Sequence, residues 1–204
     1  RAEAASREVD EDNAFLDYVT SMPASYREVF TAAEMRAHAA IVARRGGSAT
    51  RVERWSAAHE DPVAVCVVAK DRPGLLAQIS AALVAHDIEV VTAYAFCRAR
   101  GEAGAEAVDF LWVRREQRDG TIAAPIGDRE VAAIGELVDA LVRGGASFDE
   151  GVRLARAVRS ARAETRVRFE GVGPDGVTLL TVEAVDRPGL LLAITKTLFL
   201  AGLQ

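Results

Sequence analysis

The hexapeptide Asp-Arg-Pro-Gly-Leu-Leu occurs twice in this chain, at Asp71–Leu76 and at Asp186–Leu191. Its residue types suit a zwitterion. Proline lacks an N–H and disfavours helix at the residue before it. Arg72 is therefore predicted to be extended, and the helix to begin at Pro73 with Arg72 at the cap. The amides of Gly74, Leu75 and Leu76 then have no partner inside the helix. With the positive end of the helix they can seat a carboxylate, and Gly74 permits close approach to the backbone. Asp71 stands beside them and can bend back as an acceptor. The same residues also suit a plain strand-to-helix corner, in which Asp71 is the cap and Gly74 serves packing.

The elements around the corners repeat too. Asp71 and Asp186 are 115 residues apart, and DRPGLLAQISAAL matches DRPGLLLAITKTL at eight of thirteen positions. Ser80 faces Thr195. An apolar, β-branched strand precedes each copy, and an apolar helical face follows, through Leu76, Ile79 and Leu83 in the first. A repeat of this length implies a duplicated domain.

Ahead of the first strand, PVAVCVVAK (Pro62–Lys70), residues 1–12 read as a polar, frayed end. A helical pattern runs from Asn13 to about Arg45, broken at Pro23 and restarted by a capping-box-like Thr31 and Glu34. After the first corner come IEVVTAYAF, with Ile88, Val90, Thr92, Tyr94 and Phe96 on one side, and AVDFLWVRR. The loop RARGEAGAE links them. DREVAAIGELVDALVR is an amphipathic helix, and FDEGVRLARAVRSAR a further one. Thr165–Val172 is a strand, GPDG a turn, and VTLLTVEAV the strand before the second corner. The order predicts an α+β fold: a βαββαβ, ferredoxin-like sandwich with helices over one face of a largely antiparallel sheet. The β-α start of a second such unit follows, and a helical segment precedes. The expected division is 1–60, 61–173 with an inserted helix, and 174–204, the last a truncated unit.

At 204 residues, 50% hydrophobic and 27% charged, the chain can bury a core. Its net charge of −5 gives no reason to expect nucleic-acid binding. No apolar run reaches a membrane span and no signal peptide is recognisable, which points to the cytoplasm. Cys66 and Cys97 read as isolated small buried residues. The chain begins at Arg1, so an upstream part of the natural protein is expected to be missing.

Strand, DRPGLL, amphipathic helix and hairpin resemble the ACT domain, a βαββαβ regulatory module that commonly binds amino acids at this corner, between two such domains. The resemblance implicates Asp71, Arg72, Gly74 and Leu75, and in the second copy Asp186, Arg187, Gly189 and Leu190. The Gly-Leu amides would hold the ligand carboxylate, and the aspartate its ammonium group. Tandem copies with a long insertion are similar to the C-terminal regulatory region of bifunctional uridylyltransferase/uridylyl-removing enzymes. These modify the nitrogen signal protein PII in response to glutamine. The segment FLDYVTSMPASYREVFTAAEMRAHAAIVARR, with Glu34 and His38, resembles the entry to that region. The implied function is amino-acid sensing, glutamine first, with control of a PII uridylyltransferase-like activity and pairing of ACT units into a homodimer. The alternative is a stand-alone ACT protein that only dimerises.

No catalytic residue, metal or cofactor is assigned. GGS (Gly46–Ser48) lacks the Asp-x-Asp that a nucleotidyltransferase needs for magnesium, and His86–Asp87 lies at a helix end without partner ligands. His38 and His59 are expected at the surface or partly packed. Trp55 is expected against the sheet; Tyr94, Phe96, Phe110 and Trp112 in the sheet–helix core or a dimer face. Arg153, Arg156, Arg159 and Arg162 form a basic stripe, either a solvated face or a docking surface for an acidic partner.

Overall fold

Thr31 starts its helix as its sequence predicts. Its hydroxyl accepts from the Glu34 amide at 3.4 Å, while the Glu34 carboxylate accepts from the Thr31 amide at 2.7 Å. In a computed structural model, the structure describes residues 2–55, 61–101, 104–115, 124–144, 165–172, 178–187 and 189–203. Three helices come first: α1 (Ala2–Ser21), α2 (Ala24–Val29) and α3 (Ala32–Arg45). The expected frayed end is instead the first half of α1, whose Ala- and Glu-rich sequence favours helix. Then follow β1 (Thr50–Arg54), β2 (Val63–Lys70), α4 (Leu75–Ala85), β3 (Ile88–Ala99), β4 (Ala105–Arg115) and α5 (Asp128–Arg143). β5 (Arg166–Val172), β6 (Thr178–Glu183) and α6 (Leu190–Leu200) complete the described elements. The expected helix at 148–162, the GPDG turn, His59 and the arginine stripe lie outside the described residues.

The chain is α+β. Four strands form an antiparallel sheet in the order β1-β2-β4-β3. Helices cover both of its faces, not one as expected. β2 shows why: seven of its eight residues are buried, so the strand is sandwiched and is not an alternating half-buried one. On one face α4, α5 and α6 pack on Val65, Val67, Leu111 and Val113 through Ile79, Ile134, Val138 and Leu192. On the other, α1–α3 pack on Cys66, Val68, Val108 and Phe110 through Tyr18, Tyr26, Phe30 and Ile41.

β3 serves both faces. Val90 pairs with Val113 and Thr92 with Trp112, leaving Val91 as an extra residue. A bulge of this kind reverses the alternation beyond it. Ile88 and Val90 therefore join the α4 side, while Phe96 joins the aromatic cluster on the α1–α3 side. The expectation that Ile88 through Phe96 share one side is corrected by that single inserted residue. The aromatic cluster also buries His38 completely, against the expectation of a surface position. Its Nδ1 lies 2.8 Å from the Tyr26 hydroxyl, its ring 4.1 Å from that of Phe110. Burial lowers the His38 pKa from 6.5 to about 4.

A second buried polar group joins the helices to the sheet. Glu106 is 2% exposed and meets Arg45 at 2.5 Å, Arg98 at 2.6 Å and Arg100 at 3.2 Å.

The edge strand differs from expectation. The pattern assigns Thr165–Val172 to the last strand of the first sandwich, but Arg166–Val172 pairs with Thr178–Glu183 in a separate two-stranded sheet. The place beside β2 is taken by Thr50–Arg54, from the stretch between the expected helices and the first expected strand, for which the pattern predicts no element. One apolar residue, Val52, in TRVER gave too little alternation to signal a strand. The two hairpins share one register. Arg51↔Val68, Val52↔Val67, Glu53↔Cys66 and Arg54↔Val65 recur, at the 115-residue spacing of the hexapeptides, as Arg166↔Glu183, Val167↔Val182, Arg168↔Thr181 and Phe169↔Leu180. The repeated unit is therefore hairpin, corner and helix.

Candidate functional site

Both corners turn on a left-handed glycine. Gly74 has φ 80° and Gly189 φ 73°, and each is the N-cap of an eleven-residue helix. The helices start at Leu75 and Leu190, two residues later than expected, because a positive φ at glycine interrupts the turn that Pro73 would begin. Leu75 N–H donates to Arg72 O at 3.3 Å, and the first in-helix bond is Gln78 N–H to Gly74 O at 3.1 Å. Among the described residues the Leu76 and Ala77 amides have no backbone acceptor. Of the three donors the sequence suggests, Leu75 is thus engaged, and the Ala77 amide is open beside that of Leu76.

Asp71 does not cap the helix. Its amide donates to Ala105 O at 3.0 Å, and its carboxylate accepts from the Cys97 thiol at 3.2 Å. Burial and this carboxylate push the thiol up to about 11. Cys97 is exposed, contrary to expectation, and Cys66 is buried; both are free. Arg72 turns away from the corner. Its guanidinium donates to Val142 O at 2.5 Å and to Gln78 Oε1 at 2.8 Å, and Gln78 Nε2 reaches Leu141 O at 3.3 Å. It holds the last carbonyls of α5, a structural duty that satisfies groups every helix leaves open.

The helices α4 and α6 pack against each other. They run antiparallel, because each corner meets the far end of the other unit's helix. A cavity of about 460 Å³ lies beside the first corner, lined by Asp71, Arg72, Gly74 and Leu75, by Ala95, Cys97, Ala107 and Asp109 of the sheet, and by Thr195, Leu198 and Phe199 of α6. A second, of about 310 Å³, is lined by Asp186, Arg187, Gly189 and Leu190, by Ser80, Leu83 and Val84 of α4, and by Glu89 and Arg114. Ser80 and Thr195 hold equivalent places, their hydroxyls bonded to Leu76 O at 2.7 Å and Leu191 O at 2.8 Å. The eight residues singled out by sequence thus divide into two quartets in two separate cavities. The first is large enough for a metabolite of amino-acid size.

Sequence reasoning missed Asp109, the floor of the first cavity, and Phe199, its wall. Asp109 is 4% exposed and, among the described residues, makes no hydrogen bond or ion pair. Burial, reinforced by the Asp71 charge, raises its pKa from 3.8 to about 7. One acid inside the apolar run AVDFLWV was the available signal. Phe199 lies on the first corner so closely that a Cβ built on Gly74 would stand 2.8 Å from its ring. Gly74→Ala should therefore destabilise the protein by about 2 kcal/mol, from left-handed strain plus displacement of the ring. Urea unfolding checks this. Adding Phe199→Ala should recover part of the loss; a neutral Gly74→Ala would show that the corner tolerates another backbone.

Among the described residues no group of three or more His, Cys, Asp or Glu is placed to hold a metal, and no helix is long and apolar enough to cross a membrane. Fold and site thus define an α+β module that repeats its hairpin, corner and helix, with a cavity at each corner. Across 97% of its length the chain is 31% identical to the bifunctional uridylyltransferase/uridylyl-removing enzyme of Caulobacter vibrioides, covering 21% of that protein. It is 27% identical over 92% of its length to the enzyme of the same description from Phenylobacterium zucineum, and 28% over 85% to that of Gluconobacter oxydans. The resemblance read from the sequence therefore extends over most of the chain, which spans about a fifth of the length of these curated relatives. No family model and no solved structure matches.

Proposed function

We propose that the chain is an ACT-type regulatory module that binds an amino acid, glutamine first, and controls a PII uridylyltransferase-like activity in the cytoplasm. The observation that carries this reading is the first cavity. It is lined by residues with unpartnered amides, Leu76 and Ala77, and by the Asp71 carboxylate, a donor pair for a ligand carboxylate and an acceptor for an ammonium group in one cavity. The similarity to the uridylyltransferase relatives supplies the activity to be controlled. The ligand would touch the corner of one unit and α6 of the other, so its binding would favour one packing of the two helices. A homodimer through the ACT units and contact with a PII-type protein belong to the same reading.

Calorimetry of the twenty amino acids against the full-length protein tests it. L-glutamine should give a saturable heat. The sensing role is lost if none of the twenty binds while circular dichroism shows the fold intact.

A further inference from the structure

The corner aspartate and helix amides account for the head of an amino acid, but not for the second acid on the cavity floor. Asp109 projects from the middle of β4 on the α4 side, with Val67 and Ala95 as its register partners on the neighbouring strands. It is buried, opens into the cavity that Asp71 and Thr195 also line, and has no hydrogen-bond or ion-pair partner among the described residues. A buried acid without a partner destabilises a fold, and the small residues around it, Ala77, Ala95 and Ala107, leave room beside it. Resting on the amino-acid reading above, we propose that Asp109 is a ligand-binding residue of this cavity, which with Asp71 takes the ligand's ammonium group between two carboxylates.

The charged and titratable surroundings set how such binding depends on pH. Asp71 faces Asp109 from the corner and Cys97 from β3; Cys66 lies on the opposite sheet face. Arg72 lines the cavity but gives its guanidinium to α5. The parts of α4 and α6 that line the cavity bring no further titratable side chain. With its pKa near 7, Asp109 is about half protonated in neutral solution. An arriving ammonium group favours the carboxylate, so the Asp109 proton leaves to solvent as the ligand enters. The ligand keeps its own proton throughout.

The test is calorimetry of the full-length protein with L-glutamine, in buffers of differing ionisation enthalpy and across pH 6 to 8, where the free ligand is itself an ammonium ion. The wild type should release about half a proton per ligand at pH 7, falling toward zero by pH 8, and its Kd should rise up to tenfold per pH unit below 7. Asp109→Asn, close in shape, should weaken binding at least tenfold at pH 8 and abolish both the proton release and the pH dependence. Glutaramate, which lacks the ammonium group, should show neither property in either protein. If Asp109→Asn binds glutamine as the wild type does, with the same proton release, Asp109 is not a ligand residue, although amino-acid sensing stands. If the folded wild type binds none of the twenty amino acids, both proposals fall.

Discussion

Glu106→Gln should lower the stability of the protein by roughly 3–5 kcal/mol, the range for breaking a buried ion pair by removing one partner. The wild-type carboxylate is 2% exposed and is shared by Arg45, Arg98 and Arg100. Arg45 and Arg98 are 13% and 11% exposed, so losing the one negative charge strands two poorly solvated cations. Arg100, at 45%, can reach water and should contribute little. The damage should centre where α3 meets the sheet, since Arg45 ends that helix and Arg98 also holds Ser21 at the end of α1. Urea unfolding measures the loss. Adding Arg45→Gln to Glu106→Gln should cost less than the two single losses summed, because the second change removes a cation already stranded. A loss below about 1 kcal/mol for Glu106→Gln would mean that water screens the cluster.

The second large effect is in the pH profile of stability, where two buried groups oppose each other. The Asp109 pKa is raised from 3.8 to about 7 in the folded chain. Between those values the folded state binds more protons than the unfolded one, so this group makes stability fall as pH rises. The His38 pKa is lowered from 6.5 to about 4. There the unfolded state binds more protons, so stability rises with pH over nearly the same window. In the wild type the two slopes largely cancel. In Asp109→Asn only the His38 slope remains, and the stability difference between this variant and the wild type should widen by about 4 kcal/mol from pH 4 to pH 8. Glu53 and Asp139 are held below their ordinary values by Arg44 and Arg143, so they act only at lower pH. Chemical denaturation at five pH values decides. Parallel curves for the two proteins would show that water reaches Asp109 and removes its shift.

Local signals carried much of this structure. Thr31 with Glu34, Pro23, and the glycines that end α3 and α5 gave helix boundaries, because caps are decided by a few adjacent residues. The two hexapeptides located both cavities. What escaped depends on residues distant in the chain. The cover on the second face of the sheet comes from α1–α3, and no local pattern says where a helix will dock. Val91 reverses the faces of β3 only because β4 pairs without a matching insertion. Phe199 and Asp109 reach the first corner from other elements, so the cavity could be placed by sequence but not furnished. Arg72 shows the reverse limit: the sequence put it at the helix cap, which Gly74 takes instead, and its partner, the end of α5, lies 70 residues away.

The shared register of the two hairpins bears on the order in which the chain assembles. The strand before each corner pairs with the strand just ahead of it. The most separated partners are Thr50 and Ala69 in one hairpin and Arg166 and Glu183 in the other. Loops this short close quickly, so both hairpins should form early and independently of each other. The pairing of β2 with β4 joins Val63 to Val113 and must wait for a longer closure. The seating of α6 against α4 spans more than a hundred residues and should come last. In the order of synthesis, the first corner would then have its strand, its neighbour and its helix before the residues that wall its cavity have been made.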